Sequence, residues 1–173
     1  MNNCFLPEII KYNSEIEWED YYNSLYEIFK RDFLDRNRKL TFNGKDVYIK
    51  KYPLEGNKEQ AFFHITNKEE DSVDDRVPDF RRCERIEWVR LFIENYFCSK
   101  KCNCSGVHNW IEPFKENKMR TYIWCESKRF LVVLEDRNNY YLLITAFYVN
   151  ENNHKKIEKL KYNYLQYQNT EIK

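Results

Sequence analysis

Three arginines near the start of a predicted helix are the side chains best suited to binding an anion. The segment 78–97 carries apolar residues at helical spacing, which predicts an amphipathic helix. Extending its apolar stripe towards the N-terminus places Arg82 and Arg85 on the inward face, with Arg81 beside them. An inward guanidinium needs an anion or a buried carboxylate, so these positions predict a charged contact.

Two interpretations of these arginines are open. The first is a structural ion pair, with Glu126 or Glu135 as the partner. The second is phosphate binding, because a guanidinium group can donate to two phosphate oxygens at once. Asp79 lies at the predicted helix N-terminus, where a negative charge suits the helix dipole and where a bound phosphate is also stabilised.

Polar side chains also lie at the ends of three predicted strands. The runs RTYIWCES, RFLVVLED and YYLLITAFYV are rich in aromatic and β-branched residues, which predicts consecutive antiparallel strands over 120–149. The third run is the most continuously apolar and is expected at the centre of the sheet. Arg120 opens the first run, and Thr145 and Tyr148 lie near the end of the third. They are either satisfied core groups or parts of a site, because an unpartnered polar group costs desolvation.

His64 is the candidate for proton transfer. It lies in the apolar segment QAFFHIT, for which we expect a strand over 60–66. An imidazole changes charge near neutral pH and can act as an acid or a base. The alternative is a structural histidine whose ring nitrogens are bonded within the core.

A cysteine-rich segment gives a weaker indication of a metal site. Cys98, Cys102 and Cys104 lie close together, and His108 is a possible fourth zinc ligand. Structural zinc sites more often contain paired C-x-x-C motifs, so unligated cysteines within a loop over 98–117 are the alternative. For a cytoplasmic protein, disulfide bonds are not expected.

Length and composition indicate one domain without a membrane span. A chain of 173 residues can bury one core, and the net charge of +1 argues neither for nor against a nucleic-acid partner. The aromatic share of 17% provides rings for a core and for stacking. The polar start MNNCFLPEIIKYN lacks the apolar region of a signal peptide, so we expect a cytoplasmic protein with no membrane partner.

The remaining patterns predict two further helices, a strand and a loop. Aromatic residues at helical spacing predict a helix over 17–36, and Ser14 with Glu17 resembles a capping box. Residues 47–49 predict a short strand, and the acidic run over 67–76 predicts a solvent-facing loop. A last helix over 155–166 is expected to begin at Asn152 or Asn153, with Leu165 among its inward residues. Its lysines, which include Lys156, predict a solvated face, with a nucleic-acid patch as the alternative.

These elements together predict an α+β fold. We expect an antiparallel sheet of four to six strands with helices packed on it. The chain is interpreted as a single domain over 1–173, with a helical N-terminal extension over 1–40 and an α+β core over 41–173.

Three segments resemble the phage-associated branch of the barnase–EndoU–colicin–RelE (BECR) ribonuclease superfamily. They are FFHIT, RVPDFRRCERIEWVRLFIEN and KMRTYIWCESKRFLVVLEDRNNYYLLITAFYV, which together cover roughly residues 62–149. The resemblance implies a small endoribonuclease that needs no metal or other cofactor, acting as a toxin or effector of a mobile element. It implies RNA as substrate and an antitoxin or immunity protein as a possible partner.

The resemblance also implies roles for individual residues. Catalytic roles fall on His64, Arg82 or Arg85, Arg120 and Thr145, with Tyr148 nearby. Candidates for substrate binding are Arg81, Trp124 and Glu126. The general base stays open, because the other histidines, His108 and His154, are in unfavourable contexts.

Two other functions remain open from the sequence. One is a catalytically silent RNA- or protein-binding module on the same fold. The other is an interaction protein stabilised by zinc through Cys98, Cys102, Cys104 and His108. RNA cleavage in EDTA, RNA binding without cleavage, and stoichiometric zinc distinguish the three.

Overall fold

The antiparallel part of the sheet runs from residue 108 to residue 148. The computed structural model describes residues 5–70, 73–98 and 104–171. Four consecutive strands pair antiparallel: β5 (His108–Phe114), β6 (Lys118–Cys125), β7 (Phe130–Asp136) and β8 (Tyr140–Tyr148). The three predicted strands are therefore confirmed as β6, β7 and β8. The expected loop over 98–117 is wrong where β5 forms, because Pro113 is tolerated in a strand at the sheet edge.

The other half of the sheet makes it mixed rather than purely antiparallel. β1 (Thr41–Phe42) and β2 (Lys45–Ile49) form a hairpin around Asn43 and Gly44, both of which have positive φ angles. β2 then pairs parallel to β8, which gives the strand order β1-β2-β8-β7-β6-β5. The α+β class and the strand number are confirmed, and the purely antiparallel pairing is wrong at this one pair. β8 lies inside the sheet, as expected.

The first helix agrees with the predicted segment but begins differently. α1 (Trp18–Phe29) continues into a π-helical turn over Lys30–Leu34. Its N-cap is Glu17 with no side-chain hydrogen bond, so the predicted capping box at Ser14 is wrong. The buried face of α1, with Leu25 and Phe29, packs in the larger core.

The segment that contains His64 is helical, not extended. α2 (Gln60–Thr66) buries Ala61, Phe62 and Ile65, which lie on one face of a helix. The strand prediction for this segment is wrong, because periodicity cannot separate a short apolar strand from a short buried helix. The acidic segment that follows is also not a plain loop: within the described residues it forms a hairpin of β3 (Asn67–Glu70) and β4 (Val73–Pro78).

The predicted arginine-bearing helix is two helices with a kink between them. α3 (Phe80–Cys83) is capped by Asp79, whose side chain accepts from the Arg82 backbone N–H at 3.0 Å. α4 (Ile86–Glu94) begins after Arg85, which has a non-helical backbone. Asp79 therefore stabilises the helix start as expected. The kink means that Arg82 and Arg85 do not share one continuous helix face.

Helices cover both faces of the sheet. The larger core lies on the face that packs against α1 and α4, and it includes Phe92, Val132 and Leu143. The smaller core lies on the opposite face beneath α5 (His154–Glu171), and it includes Trp110 and Leu160.

The start of α5 is confirmed, but one of its predicted inward residues is not. Asn153 caps the helix through its side-chain oxygen, which accepts from the Lys156 N–H at 3.1 Å. Leu165 was predicted to face inwards and instead is 54% exposed. Across the described ranges, no helix is both long enough and apolar enough to span a membrane.

Candidate functional site

Among the described residues, no strand pairs with the second half of β8 on the side of β2. β2 pairs with β8 only as far as Leu143, and the pairing with β7 has a bulge at Ile144. Beyond this point α2 and α3 contact β8 instead of a strand. A bulge reorients backbone groups, so the carbonyl of Ile144 can accept a hydrogen bond from a side chain of α2.

That side chain is His64. Its Nδ1 lies 3.3 Å from the carbonyl oxygen of Ile144. A carbonyl oxygen only accepts hydrogen bonds, so the neutral ring carries its proton on Nδ1 and a lone pair on Nε2. Burial lowers the pKa of His64, and the positive charges of Arg76 and Lys50 lower it further. The imidazole is therefore neutral at pH 7 and able to accept a proton.

The backbone carbonyl of His64 is bound by two other predicted site residues. The Arg82 Nη1 donates to this oxygen at 3.1 Å and to the Thr145 Oγ1 at 3.3 Å. The Thr145 hydroxyl donates to the same carbonyl at 2.9 Å. The structure thus brings together His64, Arg82 and Thr145, which lie far apart in the sequence.

Arg82 has no carboxylate partner in the described part of the chain. None of the ion pairs between described residues includes Arg82. Its guanidinium instead lies over the Phe147 ring, 5.2 Å from the centroid. Burial lowers the pKa of Arg82, and the nearby negative charge of Asp79 acts in the opposite direction without reversing the shift. A guanidinium in this state is suited to binding an external anion.

A lysine of α5 adds a second cation. The Nζ of Lys156 lies 5.8 Å from the centroid of the Phe147 ring that Arg82 also contacts. Burial lowers the pKa of Lys156, and the positive charge of Lys159 adds to that effect. We call His64, Arg82, Thr145, Phe147 and Lys156 the His64 cluster.

The sequence did not single out Phe147 or Lys156. Lys156 was predicted to be one of several lysines on a solvated face. Its position depends on how α5 packs over the sheet, and no local pattern carries that information.

Arg81, Arg85 and Tyr148 form a separate group on the other face of β8. Arg85 is 6% exposed, and its guanidinium carbon lies 4.4 Å from the Tyr148 ring centroid. Its Nη1 is 3.2 Å from Glu84, whereas its Nε has no hydrogen-bond partner among the described residues. Arg81 lies over the same tyrosine ring at 5.4 Å. The carboxylate beside Arg85 is Glu84, not Glu126 or Glu135.

Arg120 is placed away from the His64 cluster. It pairs with Glu135 at 3.4 Å, and its guanidinium lies over the Phe114 ring. In the strand register Arg120 is level with Leu142, three residues before Thr145 and two strands away from it. The three arginines predicted to bind one phosphate, Arg82, Arg85 and Arg120, therefore have three separate sets of contacts.

The two other predicted substrate-binding residues have structural contacts. Trp124 is 2% exposed within the smaller core, so its ring faces are covered. Glu126 forms an ion pair with Lys161 of α5 at 2.6 Å.

The zinc prediction falls partly outside the described residues. Cys102 is not among them, whereas Cys98, Cys104 and His108 are. The described residues contain no group of three or more His, Cys, Asp or Glu side chains that could hold a metal ion. A zinc site that includes Cys102 stays a prediction.

Comparison of the chain with family models, with curated proteins and with solved structures found no significant match in any of the three. The functional argument therefore depends on the contacts of the described residues.

Proposed function

We propose that this protein is a metal-independent endoribonuclease whose active site is the His64 cluster. The observation that carries the proposal is the contact between Arg82, a cation with no carboxylate partner among the described residues, and the backbone of His64, a neutral histidine. This contact joins the two residues that would provide an anion-binding group and a proton acceptor, which is the pair required to cleave an RNA phosphodiester without a metal. The resemblance of three sequence segments to BECR ribonucleases supports the same assignment.

The proposed reaction begins at the 2′-hydroxyl of the substrate ribose. The Nε2 of His64 takes the proton as the 2′-oxygen attacks phosphorus, so that the bond between this oxygen and phosphorus forms. Negative charge accumulates on the phosphorane oxygens, and the Arg82 guanidinium stabilises it. The bond to the 5′-oxygen then breaks, which gives a 2′,3′-cyclic phosphate and a free 5′-hydroxyl end.

The leaving 5′-oxygen needs a proton, and Lys156 is our candidate for the donor. Its pKa is lowered by burial and by Lys159, which makes the ammonium group a stronger acid than an exposed lysine. Thr145 positions His64 and Arg82, because its hydroxyl contacts the His64 carbonyl and the Arg82 Nη1. In this proposal His64 is the general base and Lys156 of α5 is the general acid.

Two tyrosines on neighbouring strands are suited to binding the rest of the RNA. The rings of Tyr48 on β2 and Tyr140 on β8 lie 5.3 Å apart, and Tyr48 is 53% exposed. Lys50 lies two residues beyond Tyr48 and contributes positive potential at His64. An exposed ring on a strand that leads to a basic residue suits an unpaired base, so we propose single-stranded RNA as the substrate class. A role as a toxin or effector, with a cognate antitoxin or immunity protein, belongs to the same proposal.

The test is incubation of the purified protein with a defined single-stranded RNA in EDTA, with mapping of both new ends. We expect 2′,3′-cyclic phosphate and 5′-hydroxyl ends. His64→Gln protein, purified in parallel, should keep RNA binding and lose cleavage, because glutamine hydrogen bonds but does not exchange protons near neutral pH. Cleavage at the same rate by His64→Gln protein, or cleavage that disappears in EDTA, would contradict the proposal.

A binding module is the second candidate, favoured by one observation. The Thr145 hydroxyl and the Arg82 Nη1 both bond to the His64 carbonyl, so they also hold α2 against β8. RNA that binds in a manner dependent on Arg82 and remains intact over long incubation would identify this alternative.

A further inference from the structure

A cavity lies where the two edges of the sheet approach each other. It has a volume of about 680 Å³, within the size range of small-molecule sites. Its lining includes Phe42 from β1 and Asn109 from β5, which are the first and last strands in the sheet order, and Tyr164 from α5. No residue of the His64 cluster contributes to it. The cavity is therefore separate from the proposed active site.

Aromatic rings form two walls of this cavity. On one wall the Phe42 and Tyr96 rings lie 4.3 Å apart, and Phe97 packs on Tyr96 at 3.9 Å. On the other wall His108 and Tyr164 lie 4.6 Å apart. Phe97 is 74% exposed, which is unusual for a phenylalanine that is already packed against another ring. Walls of this kind bind planar rings by stacking.

The polar side chains of the described cavity lining are mainly amides and hydroxyls. None of the described residues that line it is an Asp, Glu, Lys or Arg. Side-chain amides are present instead: that of Asn109 donates to the Tyr96 carbonyl at 3.2 Å, and that of Gln168 donates to the Tyr164 hydroxyl at 2.6 Å. These bonds hold both amides beside the rings. An amide carries a donor and an acceptor side by side, which complements the hydrogen-bonding edge of a base.

We propose that this cavity binds a nucleobase, either in a free nucleoside or in an RNA strand. Stacking between the aromatic walls provides affinity, and the amides of Asn109 and Gln168 contact the edge of the base. None of the described lining residues is a lysine or an arginine that would bind a phosphate, so we expect the base to provide the affinity. The cavity is thus proposed to bind a base, whereas the His64 cluster is proposed to bind a phosphate. The proposal for the cavity does not depend on the proposed cleavage activity.

Titration of the full chain with the four nucleosides and their 5′-monophosphates tests the proposal, with affinity from calorimetry and location from NMR shifts. At least one nucleoside should bind at the cavity, and its monophosphate should bind no more tightly. Phe97→Ala should weaken binding by about tenfold or more, because a stacked ring is lost. Tyr52→Ala is the matched control, since Tyr52 is 70% exposed and lies outside the cavity lining.

Several outcomes would overturn the assignment. They are no nucleoside binding up to millimolar concentration, binding unaffected by Phe97→Ala, or binding of indole as tight as that of the best nucleoside. Competition by a short oligonucleotide distinguishes a base within RNA from a free nucleoside. His64→Gln protein should bind the nucleoside as the unaltered protein does, which separates failure of this proposal from failure of the proposed activity.

Discussion

The Arg82 Nη1 donates to the carbonyl oxygen of His64 across 3.1 Å, so the guanidinium is attached to the helix that carries the imidazole. The two groups come from α3 and α2 and meet at the second half of β8, along the edge that β2 does not cover. A displacement of either helix would move both groups relative to a bound phosphate. Their separation is therefore set by backbone contacts and not only by flexible side chains.

Arg82→Lys tests the role of the guanidinium while retaining a positive charge. Lysine cannot donate to two phosphate oxygens in one plane, so we expect cleavage to fall about a hundredfold or more. Arg81→Lys is the matched control, because Arg81 is exposed and lies over Tyr148 instead. Single-turnover cleavage and thermal unfolding should be measured together. An equal loss of cleavage rate in the two variants would show that Arg82 is not part of the proposed site.

The pH dependence of cleavage tests His64 as the base. Burial and the charge of Arg76 lower its pKa in the folded protein, below the ordinary value of about 6.5. The neutral form is the active one, so the single-turnover rate should be flat around pH 7 and fall with an acid limb centred below pH 6.5. A fall in rate centred above pH 6.5 would exclude this role. The same acid limb in the residual activity of His64→Gln protein would also exclude it.

The same shift predicts a stability effect with a defined sign. Because the unfolded chain binds a proton at His64 more readily than the folded protein does, protonation favours unfolding. The stability due to the neutral histidine is present above pH 6.5 and is lost as the pH falls through the folded pKa. Denaturant midpoints of His64→Gln protein should depend less on pH in this window, and an identical dependence would contradict the shift.

Thr145→Val tests whether the threonine hydroxyl positions the site. Valine keeps the shape and removes the hydrogen bonds to the His64 carbonyl and from Arg82. We expect the free energy of unfolding to fall by about 1–2 kcal/mol, together with a loss of cleavage. Thr145→Ser, which keeps the hydroxyl, should restore most of both. Failure of serine to restore cleavage would indicate that the methyl group matters more than the hydrogen bonds.

The sequence predicted the central strands correctly because their signal is local. Runs such as RFLVVLED contain enough β-branched and apolar residues to define a strand without tertiary information. Residues 60–66 lack this property, since seven apolar-rich residues fit a helix as well as a strand. The hairpin after them and β5 were missed because charged residues and Pro113 conceal strands at sheet edges.

The site was predictable in part. Asp79, Arg82 and Thr145 were singled out from residue type and position, and the structure places Arg82 beside Thr145. Arg120 was grouped with them through the resemblance to BECR ribonucleases, but the register places it level with Leu142. Lys156 was not identified, because its distance from Phe147 depends on how α5 packs.

Arg90 is a structural residue that no sequence pattern indicated. It is 5% exposed, and its guanidinium donates to the backbone carbonyls of Asp32, Arg38 and Lys39. Arg90→Met fills similar space but leaves these acceptors unsatisfied, so we expect a loss of about 3 kcal/mol in the free energy of unfolding. Denaturant unfolding measures it. Arg31→Met should cost less, because the Arg31 side chain is 47% exposed, and an equal cost would contradict the assignment.

Lys156 provides the sharpest test of the proposed chemistry, because charge and acidity can be separated at this position. Lys156→Arg keeps the cation, but a guanidinium does not release its proton near neutral pH. RNA affinity should therefore be retained while the single-turnover rate falls about a hundredfold. Lys156→Met should lose affinity as well, and the salt dependence of binding should weaken by about one phosphate contact.

Lys159 is the matched control on the same helix, since it is exposed whereas Lys156 is partly buried over Phe147. Lys159→Arg, which keeps the positive charge that acts on Lys156, should leave the cleavage rate nearly unchanged. A substrate whose 5′-oxygen is replaced by sulfur refines the test, because a thiolate leaves without needing a proton. On this substrate Lys156→Arg protein should cleave as fast as the unaltered protein. A persistent hundredfold defect would show that Lys156 acts through binding geometry and not as the acid.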